Sequence, residues 1–147
     1  MRSLLSSLST EKGILYVGAS VTAQKEGFRP ELHKLISADL GCEIPMFVSA
    51  LGGIGSMFGL ANYRHSRSEY EEKIGLVLFE YSTGDLNIGI TPLNILEEII
   101  YEFLSDLTDL CPNVVVVHNF RSDFRGEADS RIRPIYNKVS DELGLQV

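Results

Sequence analysis

Four short apolar runs, at residues 13–17, 45–50, 74–81 and 114–117, are separated by longer stretches in which apolar residues recur at helical spacing. Strands that re-enter a sheet in the same direction need long crossover connections, usually helices, and this alternation is their signature. The run Leu76-Val77-Leu78-Phe79 is apolar at every position, as a strand covered on both faces must be. The four consecutive valines at 114–117 favour the pleated conformation, because β-branched side chains lose rotamer freedom in a helix. The pattern predicts an α/β domain on a parallel sheet.

The connections carry helix punctuation. In the stretch 30–40, Pro30 suits a first turn, Leu32, Leu35, Ile36 and Leu40 recur at helical spacing, and Gly41 stops the element. The stretch 91–110 is the longest: Thr91 can cap it, Pro92 fits its first position, and Leu93, Leu96, Ile99, Ile100, Phe103, Leu104, Leu107 and Leu110 form one apolar stripe. A last helix is expected over 129–143, ended by Gly144. The segment 56–73 is mixed and polar, and is expected to be partly helical. Leu145, Gln146 and Val147 read as the opening of a fifth strand that the chain does not complete, so a truncated chain is expected. With no repeat or linker, 1–147 reads as one domain.

Bulk properties narrow the function classes. A chain of 147 residues, 44% hydrophobic, is long enough to bury a real core. A formal charge of -7 argues against nucleic acid and anionic lipid as partners, since such a surface repels both. Cys42 and Cys111 stand far apart without a CxxC spacing, which points to two reduced, packed thiols. His33 and His65 show no metal-ligand spacing, and no cofactor is implied. Leu4, Leu5 and Leu8 are interrupted by serines, and no segment is apolar for long enough to span a bilayer, so a soluble, cytoplasmic protein without membrane attachment is expected.

In an open parallel sheet, ligands bind at the carboxyl ends of the strands, so the loops after the apolar runs are the ones to read. The first is Gly18-Ala19-Ser20-Val21-Thr22, a serine on a tight strand-to-helix turn. The second is a glycine cluster, Gly52-Gly53-Ile54-Gly55. The third is Ser82-Thr83-Gly84-Asp85-Leu86-Asn87, and the fourth His118-Asn119-Phe120-Arg121. Together they offer what acyl transfer needs: a hydroxyl, backbone amides able to converge on an oxyanion, and short polar side chains.

In order and spacing these loops resemble the blocks of the SGNH (GDSL-like) hydrolase superfamily. The resemblance implies a three-layer, flavodoxin-like fold with a parallel sheet of four strands plus an incomplete fifth. It implies that Ser20, in Gly18-Ala19-Ser20-Val21, is the nucleophile, and that Gly53, with Gly52 the near alternative, gives an amide to the oxyanion hole. The family's Gly-x-Asn-Asp block falls on the frame from Phe79 to Asp85, with Asp85 at the Asp position. Gly84 stands where the Asn should be, so the side-chain amide is absent there, and Asn87 or Thr83 are the candidates to replace it. The family's Asp-x-x-His does not occur in the chain.

Each residue also has a plainer reading. Asp85 suits a helix-capping carboxylate, Glu80 a carboxylate satisfied by backbone donors, and Gly53 a close-packing position. His118 is the one histidine expected at a strand's carboxyl end and the local candidate for a replacement base, although hydrogen-bonded loop histidines are common. The expected function is hydrolysis of a small acyl ester, on a saccharide or lipid, impaired without the missing histidine. The alternative is a non-catalytic flavodoxin-like module that holds a phosphate or sugar. An unpaired sheet edge beside the incomplete strand would favour homo-oligomers.

Overall fold

The computed structural model describes residues 2–88, 91–119 and 128–147. Its strands, β1 (Gly13–Gly18), β2 (Met46–Ala50), β3 (Ile74–Glu80) and β4 (Val114–Val116), form an all-parallel sheet in the order β2-β1-β3-β4. Every residue of β1 and β3 is buried, which is why these two are central and, but for the closing Glu80 of β3, without charge. β2 lies at an edge, with Met46 and Val48 exposed. The register Gly18↔Ala50 and Gly18↔Glu80 brings the carboxyl ends of the first three strands level, so their loops emerge together.

The helices are α1 (Arg2–Leu5), α2 (Ser20–Ala23), α3 (Phe28–Leu40), α4 (Ser56–Ser66), α5 (Ser82–Ile88), α6 (Leu93–Leu110) and α7 (Arg133–Glu142). Alternate strand residues face opposite layers. Ile14, Tyr16, Leu76 and Leu78 pack with Leu8 and Ile44, flanked by Leu32 and Ile36 of α3. Leu15, Val17, Val77 and Phe79 face the other way, into a larger cluster with Tyr63 of α4, Ile100, Phe103 and Leu107 of α6, and Tyr136 and Val139 of α7. The result is helix, sheet, helix: the three-layer arrangement the sequence predicted, with the observed elements close to the expected ones.

The differences have physical causes. α3 begins at Phe28, and Pro30 is its third residue. Its expected apolar stripe is offset: Leu35 is 66% exposed, whereas His33 is buried. The Ile44 carbonyl only accepts, so His33 Nε2 donates to it (3.1 Å) and Nδ1 accepts the Tyr16 hydroxyl (3.3 Å). Thr91 does not cap α6. Pro92 holds the cap position with ψ 141°, and the first helical bond runs from Leu96 N–H to its carbonyl (2.9 Å). Residues 82–87, expected as a loop, form α5. The last helix is preceded by a wide π-type turn, Ala128–Ile132, and Gly144 follows with φ 67° as its stop. The expected opening of a fifth strand is a single parallel bridge, Val115↔Gln146, where Val116 N–H donates to the Gln146 carbonyl (2.8 Å). Among the described residues no helix is long and apolar enough to cross a membrane.

Candidate active site

Ser20 stands directly beyond β1 as the first residue of α2, half-buried. Two backbone bonds fix its surroundings: Ala19 N–H donates to the Glu80 carbonyl (3.1 Å), and Leu51 N–H to the Gly18 carbonyl (3.3 Å). The glycine cluster after β2 runs alongside. A β-carbon built on Gly52 would lie 3.9 Å from Cβ of Ser20, ordinary van der Waals contact. Gly53 has φ 77°, the left-handed region that favours glycine, and a β-carbon there would meet nothing within 4 Å. Its backbone angle, not crowding, therefore calls for glycine.

α5 forms the third wall. Gly84 packs so closely that a β-carbon would stand 2.5 Å from the Ile54 carbonyl oxygen and 2.9 Å from Cβ of Ala19. The loops after β1, β2 and β3 thus meet at this point. The site has no room for a side chain at 84, which explains why an Asn is absent from that position. Gly84→Asn should consequently destabilise the fold by about 1–3 kcal/mol instead of supplying an oxyanion donor. Urea unfolding checks this, and an undiminished midpoint would show that the Ile54 loop gives way.

Of the carboxylates flanking the serine, Glu80 is buried and Asp85 half-buried. Asp85 Oδ1 accepts the Ser56 N–H (2.7 Å) at the start of α4, and Oδ2 accepts the Tyr136 hydroxyl (2.5 Å) from α7. Burial pushes its pKa up, against the pull of these two donors. Glu80 ends β3 at 1% exposure. Its Oε2 accepts the Thr22 hydroxyl (3.2 Å) and its Oε1 the Thr83 N–H (3.4 Å). Burial raises its pKa to about 7; Thr83 and Thr22 lower it, and the neighbouring Asp85 charge raises it further. The Thr83 hydroxyl donates to the Asn119 carbonyl, so its proton is already used. Asn87 lies in the last turn of α5, and its side chain is outside the described residues, as is Arg121.

The histidines are placed apart from Ser20. His33 is built into the Tyr16 and Ile44 network, and His65 is exposed on α4. His118 follows β4, which is two strands from β1 and so about 10 Å away across the sheet. Its Nε2 pairs with Asn137 Oδ1 (3.2 Å) on α7, and its ring meets Tyr136 edge-on. Among the described residues no cluster of His, Cys, Asp or Glu could hold a metal ion. An apolar cavity of about 410 Å³ between α3 and β3–β4, and an acidic one of about 400 Å³ beside α6, include no residue of the serine site. Thr22 and Tyr136 are the site neighbours that sequence reasoning missed. Thr22 sat within the quoted serine loop; nothing local marked Tyr136.

A serine thus stands on a strand-to-helix turn, walled by the glycine loop after β2 and by the helix that follows β3. No family model and no curated protein matches the chain. Solved structures do. It is similar to AlinE4, described as an SGNH-hydrolase family esterase, with TM-score 0.76 and 15% identity over 94% of this chain and 75% of that one. It is similar to a lipase/acylhydrolase from Enterococcus faecalis, with TM-score 0.72 and 17% identity over 92% and 74% of the two chains. TesA gives TM-score 0.72 and 19% identity over 91% and 76%. The chain has the SGNH-hydrolase, flavodoxin-like fold.

Proposed function

We propose that the chain carries the nucleophile side of a serine ester hydrolase acting on a small acyl ester, on a saccharide or lipid. The observation that carries this reading is the placement of Ser20 against Gly52 at the level carboxyl ends of β1 and β2. Ser20 Oγ attacks the ester carbonyl, the alcohol departs, and water then releases the acyl group from the serine. The amides of Ser20 and Gly53 are the donors assigned to the oxyanion, the role such amides play where negative charge develops. Among the described hydrogen bonds none joins a histidine to Ser20, and a serine without its base retains only residual catalysis from the oxyanion donors and binding. Slow turnover of p-nitrophenyl acetate is expected.

A fluorophosphonate probe tests the reading without requiring turnover. The adduct should map to Ser20 by mass spectrometry and vanish in Ser20→Ala. Absence of any adduct, or one that survives the substitution, would remove the hydrolase reading. A second reading, a binding module for a phosphate or sugar, is favoured by Gly84, where packing leaves no side-chain amide for the oxyanion. Calorimetric binding of sugar phosphates by an unlabelled chain would select it.

A further inference from the structure

The proposed acyl transfer makes no use of Glu80, yet this buried carboxyl touches both walls of the site. Register places it beside Gly18, and its own carbonyl holds Ala19 N–H (3.1 Å). Its side chain accepts from Thr22, two residues past Ser20 in α2, and from the Thr83 amide in the first turn of α5. The approach is tight: a β-carbon on Gly18 would lie 2.2 Å from Thr22 Oγ1 and 2.5 Å from the Glu80 carbonyl oxygen. One side chain thus bridges the turn that presents Ser20 and the helix packed on it through Gly84.

We propose that Glu80 is the positioning residue of this site: through Thr22 it sets the orientation of the turn bearing Ser20, and through Thr83 it holds that turn against α5. The inference rests on the reading of Ser20 as nucleophile. As a carboxylate, Glu80 accepts from both donors. When it is protonated, the Thr83 N–H can still only donate, and with the proton on Oε2 the Thr22 hydroxyl turns to accept it. A charge-assisted bond then becomes a neutral, weaker one at the contact that orients Ser20. Among the described residues the ionisable groups around it are few. Asp85 on α5 raises its pKa. Tyr81, which follows it in the chain, and Tyr136 on α7 are phenols pushed above their ordinary range by burial, and so stay neutral. On α3, Arg29 Nε donates to the Thr22 carbonyl (2.8 Å). On the sheet face below, Tyr16 and His33 are bonded to each other, and beyond β4 His118 is bonded to Asn137.

The test compares fluorophosphonate labelling rates of the unaltered chain and Glu80→Gln, because their ratio cancels the pH dependence common to both. From about pH 5.5 to about pH 8.5 the ratio should rise about tenfold, with a midpoint near 7. At the upper end Thr22→Ser, which keeps the hydroxyl, should label as the unaltered chain does, and Thr22→Val at the rate of Glu80→Gln. These two variants carry the test if Glu80→Gln fails to fold. A ratio flat across the range, or Thr22→Val labelled at the full rate, would overturn the positioning role while leaving Ser20 as nucleophile. An unaltered chain that takes no label at Ser20 overturns the nucleophile and the positioning role together.

Discussion

Thermal unfolding of Glu80→Gln should depend less on pH than that of the unaltered chain, and the variant should be the more stable of the two above neutrality. Glu80 titrates from about 7 in the folded chain, against an ordinary 4.5. Burial is the dominant cause, since it disfavours the charged form. Between these values the folded state binds the extra proton, so stability falls as pH rises. The contribution is fully present below about 4.5 and fully lost once pH has passed through the folded value near 7. A difference of about 2.5 units corresponds to about 3 kcal/mol. For a domain of this size that is a melting-point shift on the order of 10 °C. Gln is the neutral isostere and carries no such penalty. Melting curves at a mildly acidic and a mildly basic pH decide the matter, and parallel shifts of the two proteins would exclude Glu80 as the titrating group.

Glu80 also shows what the sequence could and could not disclose. A carboxylate closing an apolar strand is visible as an anomaly, and its satisfaction by a backbone donor was expected. Its bond to Thr22, 58 residues away, is tertiary and leaves no local mark. The strands were legible because β1 and β3 answer to burial on both faces and β4 lies in a run of valines, properties carried by composition alone. The serine and glycine loops were legible because they follow those strands. α4 was legible only as a partly helical stretch without bounds, because its buried face is Ser56, Gly59, Leu60 and Tyr63, small and aromatic residues fitted to Tyr81 and Phe103, not a periodic leucine stripe. Gly59 has no space for a methyl group, since a β-carbon there would lie 2.2 Å from the Tyr81 ring. α5 was hidden for a related reason. Ser82, Thr83, Gly84 and Asp85 are weak helix formers, and the Glu80 side chain supplies a partner for an N–H that the first turn would otherwise leave unpaired. His33 was read by its helix and not by its partners, so its exchange of places with Leu35 could not be anticipated.

Asp85 permits the sharpest separation of architecture from chemistry. Its two oxygens serve two donors from different elements, the Ser56 amide that opens α4 and the Tyr136 hydroxyl of α7. Asp85→Ala removes both acceptors at once. The helix loses its cap, typically about 1 kcal/mol, and a fully buried phenol is left unsatisfied at about 1–3 kcal/mol more, so a loss of about 3 kcal/mol in urea unfolding is expected. Asp85→Asn should cost far less, because its carbonyl can serve Ser56 while the Tyr136 hydroxyl turns to accept from the amide. The same pair distinguishes the roles at the serine. A carboxyl that moved a proton would fail equally in both variants, since Asn cannot exchange one. A carboxyl that anchors the start of α4, and with it the glycine loop beside Ser20, should let Asp85→Asn keep most of its fluorophosphonate labelling. Loss of labelling in a stably folded Asp85→Asn would return Asp85 to the chemistry and leave the cap as its lesser task.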